Sequence, residues 1–142
     1  MPETLGSITK TTFLNEVENH KLHLEFEVET GQSVEQGQPL VLTATGTVQA
    51  AGAGASKHLV IGYSLHQSAA GELCTVGMRA YAVTFSEAET AVAAGPVKYA
   101  GFNATTVYNK YEDDAVTAAD AIGWSLDAAA SAGDIIRVAL MD

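Results

Sequence analysis

A short strand motif occurs twice in this chain and constrains the fold more than any other feature. Ile-Gly-Tyr-Ser-Leu at 61–65 returns as Ile-Gly-Trp-Ser-Leu at 122–126, which is 61 residues later. Each copy is followed by a loop of small residues that ends in glycine and an acid, at 71–72 and 133–134, and then by an apolar segment. Two strands joined by a glycine-containing loop are typical of a β-hairpin, so the sequence predicts two copies of one hairpin.

The segments after the two loops define the register of the repeat. Cys74 and Val76 of the first copy correspond to Ile136 and Val138 of the second, 62 residues later. Since alternate side chains of a strand point to opposite faces, one set of residues is predicted to point into the core and the neighbouring arginines outward. The core set comprises Cys74, Val76, Met78, Ile136, Val138 and Leu140, and the outward pair comprises Arg79 and Arg137.

Composition and charge limit the partners that the chain can have. Its 142 residues are enough for one domain, and a single cysteine excludes an internal disulfide. The formal net charge of −10 disfavours nucleic acid and anionic membrane surfaces as partners, because like charges repel. The N-terminus lacks the apolar core of a signal peptide, and no segment has the roughly 20 apolar residues of a membrane helix. We therefore expect synthesis in the cytoplasm, with no nucleic-acid or membrane partner.

Residues 1–20 are interpreted as an extended N-terminal arm and residues 21–142 as a single β-rich domain. The domain opens at 22–28, where apolar residues alternate with His and Glu, which predicts a half-buried strand with an acidic outer face. Short helices are expected at 86–94 and 113–121, the second because acids precede several alanines. The predicted fold class is mainly β: a small barrel or sandwich with an internally repeated hairpin, the extended arm, and one or two short helices.

Ser64 and His66 resemble part of a nucleophile and base pair, but the second copy of the repeat indicates another role. It keeps the serine as Ser125 and replaces the histidine with Asp127. The serine hydroxyl is therefore predicted to satisfy a backbone group at the end of the strand. Cys74 is predicted to be buried and unreactive. No catalytic residue is predicted, and we expect that the protein is not an enzyme.

The histidines and the acidic cluster do not predict a metal or cofactor site. His20 and His23 would point to opposite faces of a strand, and His58 and His66 have no cysteine partners at ligand spacing. The acids at 112–114 lack the alternating oxygen ligands of a calcium loop and are interpreted as a solvated helix start. We therefore expect neither a metal nor a cofactor.

Several short motifs follow one another in a particular order over roughly residues 30–142. They are Gly-Gln-Pro-Leu at 37–40, Thr-Gly-Thr-Val at 45–48, an Ala/Gly loop at 50–56, the Ile-Gly-aromatic strands, and Ser-Ala-Gly-Asp-Ile-Ile-Arg-Val at 131–138. This order resembles that of tailed-phage head decoration proteins, also called capsid cement proteins. In that family such motifs occur in a small β-barrel.

The resemblance implies a structural virion protein on the outer surface of the assembled capsid. Such a protein binds the major capsid protein, stabilises the shell by bridging its subunits, and is commonly a homo-oligomer, often a trimer. The acidic charge is consistent with a location away from packaged DNA. Two alternatives stay open: another virion part, such as a head-fibre base or a tail component, and a non-viral β-rich binding module.

The arm supplies the candidate contact residues for the capsid or a neighbouring copy. Leu5, Ile8, Phe13 and Leu14 follow no regular period, so they are not expected to form one face of an element in their own domain. They are also too numerous for a purely solvated tail. We expect the arm to be poorly ordered in the free protein and to become ordered on binding.

Overall fold

The structure is a computed structural model that describes residues 4–5, 8–9, 17–18, 22–55, 59–79, 82–103 and 108–140. Strands are the only regular elements among these residues, and none of the residues belongs to a helix that could cross a membrane. The strands are β1 (Thr4–Leu5), β2 (Ile8–Thr9), β3 (Val17–Glu18), β4 (His23–Glu27), β5 (Ser33–Val34), β6 (Pro39–Leu42), β7 (Val48–Ala50), β8 (Val60–Ser64), β9 (Ser68–Ala69), β10 (Leu73–Met78), β11 (Val83–Ala88), β12 (Gly95–Asn103), β13 (Tyr108–Glu112), β14 (Gly123–Ser125) and β15 (Ile135–Leu140).

Strands β11 to β15 close into a five-stranded barrel, which we call the second barrel. Their order is β13-β12-β14-β15-β11, and a parallel pairing between β11 and β13 closes the ring. Strands β4, β10, β8, β6 and β7 lie in that order in another sheet. We call this sheet the first barrel, because its strands come first along the chain. An isolated parallel bridge between Val28, directly after β4, and Val48 of β7 joins the two edges of this sheet. The predicted mainly β class and the barrel are confirmed.

The two barrels correspond strand for strand. β4 corresponds to β11, β6 to β12, β7 to β13, β8 to β14 and β10 to β15, and corresponding strands have the same neighbours in the same directions. The loop pairing between β5 and β9 in the first barrel has its equivalent in a single bridge between Val92 and Ala129 in the second. The repeat therefore extends from the hairpins to the whole barrel.

The predicted repeat of the hairpins is confirmed in detail. Ser64 of β8 pairs with Val76 of β10, and Ser125 of β14 pairs with Val138 of β15. Both pairs obey the predicted offsets of 61 and 62 residues. The predicted core set is buried except for Met78, which is only partly buried, while Arg79 and Arg137 are partly exposed.

The hairpin loops are closed by the same hydrogen bonds in both barrels. Ser64 Oγ donates to the carbonyl of His66 at 2.5 Å, and Ser125 Oγ donates to the carbonyl of Asp127 at 2.6 Å. The predicted structural role of these serines is confirmed. The side chains of His66 and Asp127 also take equivalent roles, because His66 Nε2 accepts from the N–H of Thr75 and Asp127 Oδ2 accepts from the N–H of Arg137.

Asp127 adds an ion pair that the first barrel lacks at this place. The Arg137 guanidinium donates to both carboxylate oxygens, at 2.8 and 2.9 Å, so the pair is bidentate. Partial burial of Asp127 opposes ionisation, but the hydrogen bonds and charge of Arg137 outweigh it, and the pKa of Asp127 lies below its ordinary value. The ionised carboxylate therefore stabilises the loop of the second barrel.

Asp127→Ala is expected to lower the free energy of unfolding by about 2 kcal/mol at neutral pH. The aspartate pKa is about 3.9 in an unfolded chain and lower in the fold, so this contribution is present above that value and is lost as the pH falls through the folded-state pKa. Denaturant unfolding at several pH values should show a constant difference from the wild type above about pH 5 that shrinks below about pH 4. Asp114→Ala, at an exposed acid, is the control; an equal effect there at every pH would contradict the assignment.

Each barrel is filled by its own cluster of small and β-branched side chains. The first barrel holds Val28, Val34, Leu40, Val48, Cys74 and Val76, all with no exposed surface. The cluster of the second barrel includes Tyr99, Tyr111, Ile122, Ile136 and Val138. Val60 and Tyr63 of the first barrel, with Ala51 directly after β7, also belong to the second cluster, so the two barrels share a packed contact.

Both predicted helices are wrong. Residues 86–88 belong to β11, where Ser86 pairs with Ile136 of β15. The hydrogen bonds between these strands hold the second barrel together, so this segment is extended and not helical. Residues 113–121 form turns that side chains hold: Asp113 accepts from the N–H of Ala93, and Asp120 accepts from the N–H of Thr117. Ala115 has a φ of 51°, which interrupts a right-handed helix.

The described parts of the arm are extended. β1 and β2 pair antiparallel with each other, and β3 pairs with the edge of β11. Val17 of β3 is partly buried against the core of the second barrel. Phe13 and Leu14 lie outside the described residues, as do His20 and His58. The ordering of the arm on binding stays a prediction.

Candidate interaction surface

Ser64 and His66 are close together but are not arranged as a nucleophile and base. The serine hydroxyl is bonded to the backbone carbonyl of His66, and the imidazole Nε2 accepts from the N–H of Thr75 at 3.1 Å. Nδ1 therefore carries the proton, and it lies 3.0 Å from the carbonyl of Gln67. Both nitrogens of the ring hold the loop, which leaves no free base beside the serine.

The acidic and histidine side chains of the described residues do not converge on one point. Among these residues, no group of three or more His, Cys, Asp or Glu side chains is placed to hold a metal ion. In the acidic cluster, Glu112 forms an ion pair with Lys98 at 3.4 Å, while Asp113 caps the backbone of Ala93. These acids therefore have structural partners.

The acidic outer face predicted for the first strand is present on β4. Glu25 and Glu27 are exposed, and Glu27 lies opposite the exposed Leu73 of β10. The inner face is less buried than predicted, because only Phe26 and the following Val28 pack on the core. Leu22 and Leu24 are 56% and 44% exposed. Leu22 lies at the end of the barrel, directly before β4, whereas Leu24 lies opposite the buried Val76 of β10.

Large apolar side chains are exposed on both barrels. The complete set in the described residues is Leu22, Leu24, Leu42, Leu59, Leu73, Trp124 and Leu126. Leu22, Leu24 and Leu42 belong to the first barrel, whereas Trp124 lies on the outer face of the second, between Pro96 and Ala139. Exposed aromatic and aliphatic side chains in clusters are typical of protein contact surfaces.

Tyr63 occupies the position in the first barrel that Trp124 occupies in the second, but it is completely buried. Its hydroxyl donates to the carbonyl of Val138 at 3.0 Å, in the second barrel. Burial raises the pKa of Tyr63 well above its ordinary value. Burial also raises the pKa of Tyr111, and the neighbouring phenols of Tyr63 and Tyr99 raise it further. Both phenols are therefore neutral and serve as packing groups.

The chain matches no protein-family model, and no curated protein sequence matches it. Arguments about its function therefore rest on its own residues and on the resemblance of its motifs.

Sequence reasoning placed the candidate contacts only in the arm and missed those on the barrels. Leu5 and Ile8 lie in β1 and β2, and nothing in their described geometry places them beside the exposed apolar groups. The missed signal was the repeat itself, since it aligns Tyr63 with Trp124. An aromatic residue at this position in both copies indicates that the position can form an apolar contact, which Tyr63 makes within the chain and Trp124 does not.

Proposed function

We propose that the protein is a structural virion protein that binds the outer surface of an assembled phage capsid. In this role it stabilises the shell by bridging subunits of the major capsid protein, as a homo-oligomer such as a trimer. The observation that carries the proposal is the order of the glycine turns, Ile-Gly-aromatic strands and terminal hairpin over residues 30–142. The barrel architecture of those residues is compatible with it.

The surface chemistry also supports this function. An acidic face on β4 and a net charge of −10 suit the outside of a shell that contains DNA. Exposed apolar groups on both barrels supply contact surface. Stabilisation would follow from mass action, because a protein that binds the assembled lattice better than free subunits shifts the equilibrium toward the lattice.

Binding to bare expanded phage heads tests the proposal. We expect the full chain to sediment with the heads in a saturable manner and to raise the temperature at which they rupture. Deleting residues 2–15 removes β1 and β2 but keeps β3 on the second barrel, so the melting temperature of the free protein should change little. Binding is expected to weaken at least about tenfold, which corresponds to about 1.4 kcal/mol.

An arm of scrambled sequence at residues 2–15 is the matched control and should bind as weakly as the deletion. Absence of sedimentation with heads would contradict the proposed function. Binding to purified tails instead would favour the alternative of another virion component. Full binding by the deletion variant would assign the contact to the barrels rather than to the arm.

A further inference from the structure

The contact between the two barrels joins two unlike surfaces. One is the outer face of the first barrel at Pro39, Tyr63 and Gly77, which we call the tyrosine face; all three residues are buried. The other is the end of the second barrel, which we call the receiving end. It includes Ala82, Tyr99, Tyr111 and Leu140, which are at most 6% exposed and share one core cluster with Tyr63.

The repeat places a copy of the tyrosine face on the second barrel. Trp124 lies between Pro96 and Ala139, as Tyr63 lies between Pro39 and Gly77. We call this copy the tryptophan face. Trp124 is 46% exposed, whereas Tyr63 is completely buried.

The repeat also places a copy of the receiving end on the first barrel. Leu22 directly precedes β4 as Ala82 directly precedes β11, and Leu42 pairs with Val48 as Tyr99 pairs with Tyr111. We call this copy the open end, and Met78 completes it. Leu22 is 56% exposed and Leu42 is 48% exposed, whereas their equivalents in the second barrel are buried.

We propose that the tryptophan face of one copy of this protein docks on the open end of another copy and repeats the contact between its own two barrels. Each half of that contact is then present once, uncovered, on every chain. Such a contact joins different surfaces, so copies associate head to tail and form a ring where the rotation closes. A central tryptophan in an apolar setting is typical of the residues that dominate binding energy.

Charge favours a second copy over a charged partner at these two surfaces. The residues that define the tryptophan face and the open end are all uncharged. The charges beside Trp124 are already paired within the chain, Arg137 with Asp127 and Lys98 with Glu112. The acidic charge of the chain is therefore not concentrated on the residues that would meet, which limits repulsion between two chains of net charge −10. The inference concerns this chain alone and stands whether or not a capsid is its target.

Two charge substitutions and their mixture test the proposal without any capsid. The wild type at about 100 µM should have a mass above that of two chains in light scattering and should show blue-shifted emission from its single tryptophan. Trp124→Glu and Leu42→Glu should each give a single chain of 14.8 kDa, with a melting curve that shows a folded protein. Leu22→Glu replaces Leu42→Glu if the latter does not fold.

Mixing the two variants is the decisive experiment, because each keeps the surface that the other has lost. An equimolar mixture should form a complex of two chains and no larger species. Leu73→Lys is the control, since Leu73 is 61% exposed but lies at the opposite end of β10 from Met78, and it should assemble like the wild type. A monomeric wild type, an oligomeric Trp124→Glu variant, or a mixture that stays monomeric would overturn the proposal.

Discussion

Gly62→Ala is expected to lower the free energy of unfolding by at least about 3 kcal/mol, the upper part of the range for overpacked interiors. Gly62 lies in β8, where it pairs with Leu40 on one side and Met78 on the other. A Cβ atom here would overlap the carbonyl oxygen of Gly77 in β10. Since that oxygen belongs to the backbone of a barrel strand, it cannot move aside by side-chain rotation. Denaturant unfolding measures the loss.

Two other glycines provide matched comparisons for this prediction. Gly123 is the equivalent residue in the second barrel, and a Cβ there would lie 2.6 Å from the carbonyl oxygen of Ala139, so Gly123→Ala should also destabilise. Gly52 has no atom within 4 Å of the added Cβ and an ordinary backbone conformation, so Gly52→Ala should change stability by less than about 0.5 kcal/mol. Equal stability of Gly62→Ala and Gly52→Ala would contradict the described packing of β8 on β10.

The same close approach explains why the hairpins could be predicted from the sequence. The contact of β8 with β10, and of β14 with β15, leaves room only for glycine, and the loop requires a hydroxyl that reaches a nearby carbonyl. Gly62 and Gly123, and Ser64 and Ser125, are therefore identical in both copies. Local steric demands of this kind remain visible in a single sequence.

The other strands of the repeat could not be recognised because their positions require only burial. Val48 and Tyr111 are equivalent in the strand pairing, yet one fills a narrow core and the other a wider one that also receives Tyr63. A core tolerates a larger residue at one position when neighbouring side chains leave room for it, so the residue type at such a position is not fixed. The duplication of the whole barrel therefore left little trace in residue identity.

The predictions of two helices were wrong for a different reason. Acids and alanines at 113–121 favour a helix locally, but the segment is too short to outweigh the side-chain bonds of Asp113 and Asp120 to the backbone. The candidate contacts on the barrels were missed for a third reason. Alternation at 22–28 indicates which face a residue points to, but not that Leu22 lies at an uncovered barrel end.

Tyr63→Ala is expected to lower the free energy of unfolding by about 3–5 kcal/mol, as for large aromatic residues truncated in a core. Tyr63 is fully buried, and its ring carries the packing between the barrels. Tyr63→Phe keeps the ring and loses only the hydrogen bond to Val138, so it should cost about 1–2 kcal/mol. The difference between the two variants measures the packing of the aromatic ring.

Loss of Tyr63 should also weaken the coupling between the two barrels, because Tyr63 is the largest of the three buried first-barrel residues in the core cluster of the second barrel, beside Ala51 and Val60. In protein diluted until it is monomeric, Trp124 fluorescence reports the second barrel alone, whereas far-ultraviolet circular dichroism reports the strands of both. In the wild type and in Tyr63→Phe the two signals should give coincident unfolding transitions, as expected for one cooperative unit. In Tyr63→Ala the two transitions should separate, with the circular dichroism change beginning at lower denaturant.

Leu59→Ala, at an exposed residue, controls for nonspecific effects and should keep the transitions coincident. Coincident transitions in Tyr63→Ala would mean that the contact between the barrels depends on residues other than this tyrosine.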